Sequence, residues 1–336
     1  MSTYRATGIN LKTMPMGEAD RLLTILTREY GLVQAIAMGS RKHNSSLTGR
    51  SGLFVVNNLL IAKGRSLDKI TQAETLESYP GLGQDLRKLT ASQYIAELSL
   101  YQALSDQPQE ELFVTLNHHL AQIEQSIAHQ ILPNLLQAIV HLLALAGIAP
   151  QVHRCCMTGQ TLIPEIENPD WRIGFSISAG GAVTLASLEQ LSQKGTRPKQ
   201  RFAAEKATGY APTYPSKARA AQHRSSPNRQ LSASELLLLQ ALSQNDLAKF
   251  ANISNLASPI SPQEAIQSLI PDCVFSPSHE IWLAVEQLLR QYAQYHFDRP
   301  IRSASLVDAC FLELSRSSQD PSSQGPPSQG PPSQAH

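Results

Sequence analysis

The sequence predicts two domains, a small five-stranded β-barrel over residues 1–80 followed by a mainly α-helical domain. Three observations predict this. From Thr3 to Ser78 the apolar residues come in short runs separated by Gly and charged turns, the pattern of strands. After Pro80-Gly81 the apolar spacing becomes helical. The charge changes sign at the same place, with ten Lys or Arg against six Asp or Glu up to residue 80 and two against six over 81–150. The net charge of +1 conceals this alternation.

Strands are expected near 4–13, 21–27, 31–38, 53–62 and 68–78. Five short strands suit a closed barrel, because closure leaves no edge free to pair with another chain. The pattern alone admits an oligonucleotide-binding (OB) arrangement or an SH3-like barrel. In the first part of the helical domain, residues 81–150, Leu89, Tyr94, Ile95, Leu98, Tyr101 and Leu104 make a buried stripe on a helix over 83–105. Further helices are expected over 109–125 and 129–146, the last stopped by Gly147 with Pro150 beyond it.

Residues 151–193 are mildly acidic and contain the adjacent Cys155 and Cys156. Residues 194–231 lack an apolar period and carry nine Lys or Arg against one Asp or Glu, the composition of a disordered insertion. That insertion is either a flexible arm for a polyanion or a tolerated loop. The second part of the helical domain, 232–303, opens on Ser232-Ala233-Ser234-Glu235, where each side chain can satisfy a free backbone N–H, with Leu236 to Leu242 as the buried face. Another helix is expected from Ser276-Pro277 to about Phe297, with Ile281, Val285, Leu288, Tyr292 and Tyr295 on one face and Pro300 barring extension. Residues 304–336, ending in Gln-Gly-Pro-Pro-Ser repeats, read as a disordered tail.

The chemistry of the barrel is that of its charges. Arg41, Lys42 and Arg50 fall in one connection, and Lys63, Arg65 and Lys69 around the last turn; with Arg21 they are candidates to line a groove along a phosphate backbone. The competing reading is ordinary solvated charge on loop tips. Few aromatics are available for stacking: Tyr4, Tyr30, Phe54 and Tyr79, of which Phe54 reads as core and Tyr30 as exposed on a turn. Binding through phosphates with little sequence preference is therefore expected.

Gly17-Glu18-Ala19-Asp20-Arg21 with the run Leu22 to Thr27, the segment Gln72 to Leu82, and Tyr295-His296-Phe297-Asp298-Arg299-Pro300-Ile301-Arg302-Ser303 together resemble the RecO family of bacterial DNA repair proteins and recombination mediators. The resemblance covers roughly residues 3–190 and 230–305. It implies an OB barrel fused to a helical domain. It also implies binding of single- and double-stranded DNA, annealing of complementary strands, and help in loading recombinase on strands coated by single-stranded DNA-binding protein. Implied partners are the C-terminal tail of that protein, with Arg299 and Arg302 as candidate contacts, and RecR. The implied location is the cytoplasm, at the nucleoid.

Many members of this family carry a small zinc module with two Cys-x-x-Cys pairs. In this chain His153-Arg154-Cys155-Cys156-Met157-Thr158-Gly159 resembles its start, but only Cys155 keeps a ligand position. Thr158, Thr184 and Ser187 replace the others, and neutral hydroxyls are poor zinc ligands beside thiolates. A degenerate zinc-ribbon-like insertion without zinc is expected, held by apolar residues such as Trp171, Ile173 and Phe175. A site improvised from His153, Cys155 and Cys156 is the weaker alternative.

No enzyme is expected: the phosphate-loop, nucleophile-elbow and His-Glu-x-x-His signatures are absent. His118-His119, His141, Glu110-Glu111, Cys273 and Cys310 form no acid–base pair. An adaptor that binds protein partners with little DNA affinity is the alternative function. No membrane partner is expected, because the longest strongly apolar stretch, around Ile139 to Ala146, is far shorter than the roughly 20 residues of a bilayer span. Four cysteines and an N-terminus without a secretory pattern fit a reducing compartment.

Overall fold

The computed structural model of the protein describes residues 2–195, 228–244 and 277–317. Most of the expected basic insertion, Cys273 and the Gly-Pro-Pro repeats lie outside the described residues. Strands β1 (Thr3–Met16), β2 (Asp20–Thr27), β3 (Gly31–Ala37), β4 (Val55–Ala62) and β5 (Asp68–Ser78) close into a barrel in the order β1-β2-β3-β5-β4. Neighbours are antiparallel except β3 and β5, which close the barrel in parallel through Ala35–Asp68 and Ile36–Lys69. This order, with the short helix α1 (Leu47–Arg50) between β3 and β4, is that of an OB fold and decides against the SH3-like alternative. Alternation places Ala6, Leu23, Ile25, Ala35, Ala37, Leu59, Ile61 and Ile70 inside.

The helical domain contains α2 (Leu86–Gln102), α3 (Glu110–Gln125), α4 (Ile131–Leu145), α6 (Ala233–Gln244), α7 (His279–Phe297) and α8 (Ala304–Ser317). Local chemistry sets their ends. The Asp85 carboxylate accepts the Arg87 N–H at the start of α2, and Ser232 and Glu235 cap α6 reciprocally. Gly147, at φ +72°, ends α4 as the Ile148 N–H reaches back to the Leu143 carbonyl. The stretch Ala128–Leu145 is, against the expectation from sequence, long and apolar enough to cross a membrane by composition, with mean hydropathy 1.3. It is buried on nearly every side because α2, α3, α6 and α7 pack around α4, which makes it the core helix of the bundle.

The tail expected from 304 does not begin there. Residues Ala304–Ser317 form α8, with Ala304, Val307 and Phe311 buried, and it packs on α2 and α7. The insertion is likewise narrower than 194–231. Helix α5 (Leu185–Gly195) covers its first residues, and Arg229–Ser232 forms β8, which pairs with β6 (Arg172–Ser176) beside β7 (Gly181–Val183). Leu231 is fully buried and Arg229 is bonded to Glu235, so the chain after the insertion completes the sheet begun before it. Ile173 and Phe175 of this sheet are buried in the core shared with the helices, with Trp171 against it.

Barrel and bundle are joined covalently and by packing. Ile9, Leu11, Leu26, Phe54 and Val56 leave the barrel interior to join the helical core, and the Leu32 N–H donates to the Leu104 carbonyl. Gly31 is required at this seam. It sits at φ +64°, and a Cβ there would come within 2.0 Å of the Leu104 carbonyl oxygen.

Candidate nucleic-acid interface

The signature Gly17-Glu18-Ala19-Asp20-Arg21 is scaffolding for one end of the barrel. Gly17 turns the chain at φ +60°, and the Asp20 carboxylate accepts the Gly39 N–H at 2.7 Å. Arg21 donates to the Thr48 carbonyl and to the Ser51 hydroxyl, so its guanidinium is a strut under α1 and not a free cation. Arg41 donates to the Gly17 carbonyl at 2.9 Å through one nitrogen and stays exposed beside Lys42. The buried amides of Asn10 and Asn57 both donate to the Arg50 carbonyl and fix the connection that carries this residue.

Strand register distributes the remaining charges along β3. Lys69 is the second residue of β5 and not part of the turn; it pairs with Ile36 and is exposed. Lys63 and Arg65 lie in the β4–β5 turn beside the start of β3, and Arg41 and Lys42 follow its end. The seven residues of β3 separate these two groups by roughly 23 Å. Lys12, exposed on β1 opposite Thr24, faces the same way. Sequence reasoning passed over Lys12 as a contact, although its period of two with Met14 and Met16 was there to read. Arg50 departs from the group: with Arg5, Leu60 and Gln72 it lines a cleft of about 420 Å³ on the β1–β4–β5 side. Arg28 is bound by Glu110 of α3, and among the described residues it is the one Lys or Arg of the barrel within ion-pair distance of a carboxylate.

A second cleft, of about 520 Å³, opens at the start of β3 between Tyr4, Tyr30, Lys63 and Asp106. Tyr4 and Tyr30 meet edge to face at 4.8 Å between ring centres, and Tyr30 is 39% exposed. Burial and then the hydrogen bond to Asp68 push the Tyr4 phenol well above its usual range, so it donates and does not ionise. Phe54 and Tyr79 are buried and unavailable for stacking.

The four module positions come together without the chemistry of a zinc site. The Thr184 N–H donates to the Cys155 sulfur at 3.4 Å, and the Thr184 and Ser187 hydroxyls are 2.8 Å apart. Burial raises the Cys155 pKa, but hydrogen bonds from the Thr158 hydroxyl and from the Met157, Thr184 and Thr158 N–H groups outweigh it and bring it to about 7. One thiol and three hydroxyls do not fit zinc, and among the described residues no group of three His, Cys, Asp or Glu is placed to hold a metal. Nε2 of His153 is within 2.9 Å of the Ser243 hydroxyl. Arg299 stacks over the Tyr101 ring at 5.5 Å near the C-terminal end of α2, and the Arg302 backbone N–H donates to Glu97. Both side chains are exposed.

Residues 1–79 match the family described as "Recombination protein O N terminal", and residues 83–195 match "Recombination protein O C terminal". The chain is 49% identical to the DNA repair protein RecO of Nostoc sp., over 92% of this chain and 96% of that protein. It is 52% identical to the DNA repair protein RecO of Cyanothece sp., over 94% and 98%. The protein of the same name from Acaryochloris marina is 51% identical, over 95% and 99%. Matched in both domains and along nearly the whole length of these relatives, the chain belongs to the RecO family of DNA repair proteins.

Proposed function

We propose that the protein is a recombination mediator that binds single- and double-stranded DNA through its barrel, anneals complementary strands and assists recombinase loading on strands coated by single-stranded DNA-binding protein. The supporting observation is the run of exposed, unpaired cations along β3, from Lys63 and Arg65 through Lys69 to Arg41 and Lys42. Such a surface neutralises phosphates of two strands at once. Base pairing then supplies the driving energy, and the protein lowers the electrostatic barrier to their approach, with no covalent step. The family supports a repair role and docking on the tail of single-stranded DNA-binding protein and on RecR, in the bacterial cytoplasm at the nucleoid. The module of residues 151–193 serves this function without zinc in our reading.

The test is fluorescence anisotropy of a labelled single-stranded oligonucleotide over a salt series. Five engaged cations give a log–log slope on the order of −3.5, and reversing Arg41, Lys42, Lys63 and Arg65 to Glu flattens it by up to about 2.8. Weak binding with no salt dependence, unchanged in the variant, would replace this reading with a protein-binding adaptor.

A further inference from the structure

The charges along β3 surround an apolar surface that they do not explain. Met14 and Met16 alternate on β1, Met14 opposite Leu22 of β2, and Leu22 opposite Ile36 of β3, which pairs in turn with Lys69. The intervening positions Leu23, Ile25, Ala35, Ala37 and Ile70 fill the barrel, so this row lies on its outer face. Met38 extends the row from the end of β3, beside Asp20, which is opposite Met16. Met14, Met16 and Met38 are 43%, 39% and 54% exposed, with Leu22 and Ile36 half-buried between them. Three of the five methionines of the chain thus share one surface.

A contiguous exposed apolar patch marks a binding surface, and its rim states the partner's charge. Lys12 and Lys69 border it, and Arg41 and Lys42 stand at its end; of the acids nearby, Asp20 accepts the Gly39 N–H and Glu18 occupies the turn tip beyond Met16. The complementary ligand is a polyanion that also presents flat apolar groups. A single nucleic-acid strand does so, whereas a duplex hides its base faces in the stack. Tyr30, with Tyr4 against it, lies at the opposite end of β3, so among the described residues of the barrel no exposed tyrosine stands among these methionines. Thioethers suit a sequence-tolerant contact because they are polarizable and adapt their rotamers.

We infer that Met14, Met16 and Met38 form a platform for the unstacked bases of a single strand whose phosphates are held by Lys12, Lys69, Arg41 and Lys42. This rests on the DNA binding proposed above and adds a salt-independent component to it, selective for single strands.

The experiment measures anisotropy with a labelled oligothymidine and with a duplex of equal length across a salt series. The proteins are the full chain, its Met14→Gln/Met16→Gln/Met38→Gln variant, a single Met38→Gln variant as the milder perturbation, and the four-charge reversal. The platform requires that the methionine variant keep the wild-type salt slope but bind the single strand roughly tenfold more weakly at every salt, with the duplex line unmoved. Single-strand lines that superimpose on wild type for both methionine variants, or equal displacement of single strand and duplex, would overturn it while a flattened slope in the charge variant leaves the DNA reading intact. An unchanged slope in the charge variant would instead overturn the DNA reading.

Discussion

Arg21 and Arg41 carry the same charge, and their hydrogen-bond partners give them different roles. Arg21 holds Thr48 and Ser51 under α1, while Arg41 keeps an exposed guanidinium at the end of β3. His119 shows the same dependence on surroundings. It is buried on α3, bonded to His141 of α4 at 2.9 Å, and burial together with His141 and His118 holds its pKa well below the usual value. The ring is therefore neutral in the folded protein and protonates in the unfolded chain once pH falls below about 6.5. The unfolded state then binds more protons, so stability decreases as pH falls from 7 toward 5, by up to about 1.4 kcal/mol per pH unit from this ring. Urea unfolding at a series of pH values checks this; a His119→Gln variant should show a shallower dependence over that window.

At the scale of elements, α8 is held by residues remote in sequence. Glu97 on α2 accepts the N–H groups of Arg302 and Ser303 and the Ser303 hydroxyl, and so caps the start of α8. Arg290 on α7 forks between Glu286, which is fully buried, and Asp308 of α8, next to the buried Tyr94 of α2. Burial raises the Glu286 pKa and Arg290 opposes the rise. Removing the guanidinium leaves a buried carboxylate without its cation, so Arg290→Met should cost about 3–5 kcal/mol in urea unfolding. Glu286→Gln combined with Arg290→Met should recover much of that loss, which a purely steric effect of the Met would not allow.

For the whole molecule, the module and the bundle are one hydrophobic body. Phe175 packs against Tyr292 of α7, and Gln240 of α6 donates to the Val152 and Leu162 carbonyls of the module. These contacts hold the module on the bundle through side chains, and one thiol with three hydroxyls is a poor donor set for zinc. Purified protein should therefore contain far less than one zinc per chain, and a chelator should leave its melting temperature unchanged. Stoichiometric zinc, with a lower melting temperature after chelation, would contradict the donor chemistry of Cys155, Thr158, Thr184 and Ser187.

Alternation and turn residues were enough to place all five strands of the barrel, because inside and outside differ at each step of two along a strand. The helices α2 to α4 were legible for the same reason at their own period, and Gly147 announced the end of α4 and Ser232 with Glu235 the start of α6 locally. Four kinds of fact were not local. α8 was lost because its start is capped by Glu97, and β8 because its partner strand lies beyond a long basic segment. Lys69 joins the cationic face along β3 by pairing with Ile36, and Arg21 leaves it by bonding under α1. The sequence by itself determined the barrel strands, the early helices, the family and the alternation of charge. Tertiary structure alone decided which cations stay free and that three methionines share one face, because both depend on residues brought together by strand pairing and not by neighbourhood in the chain.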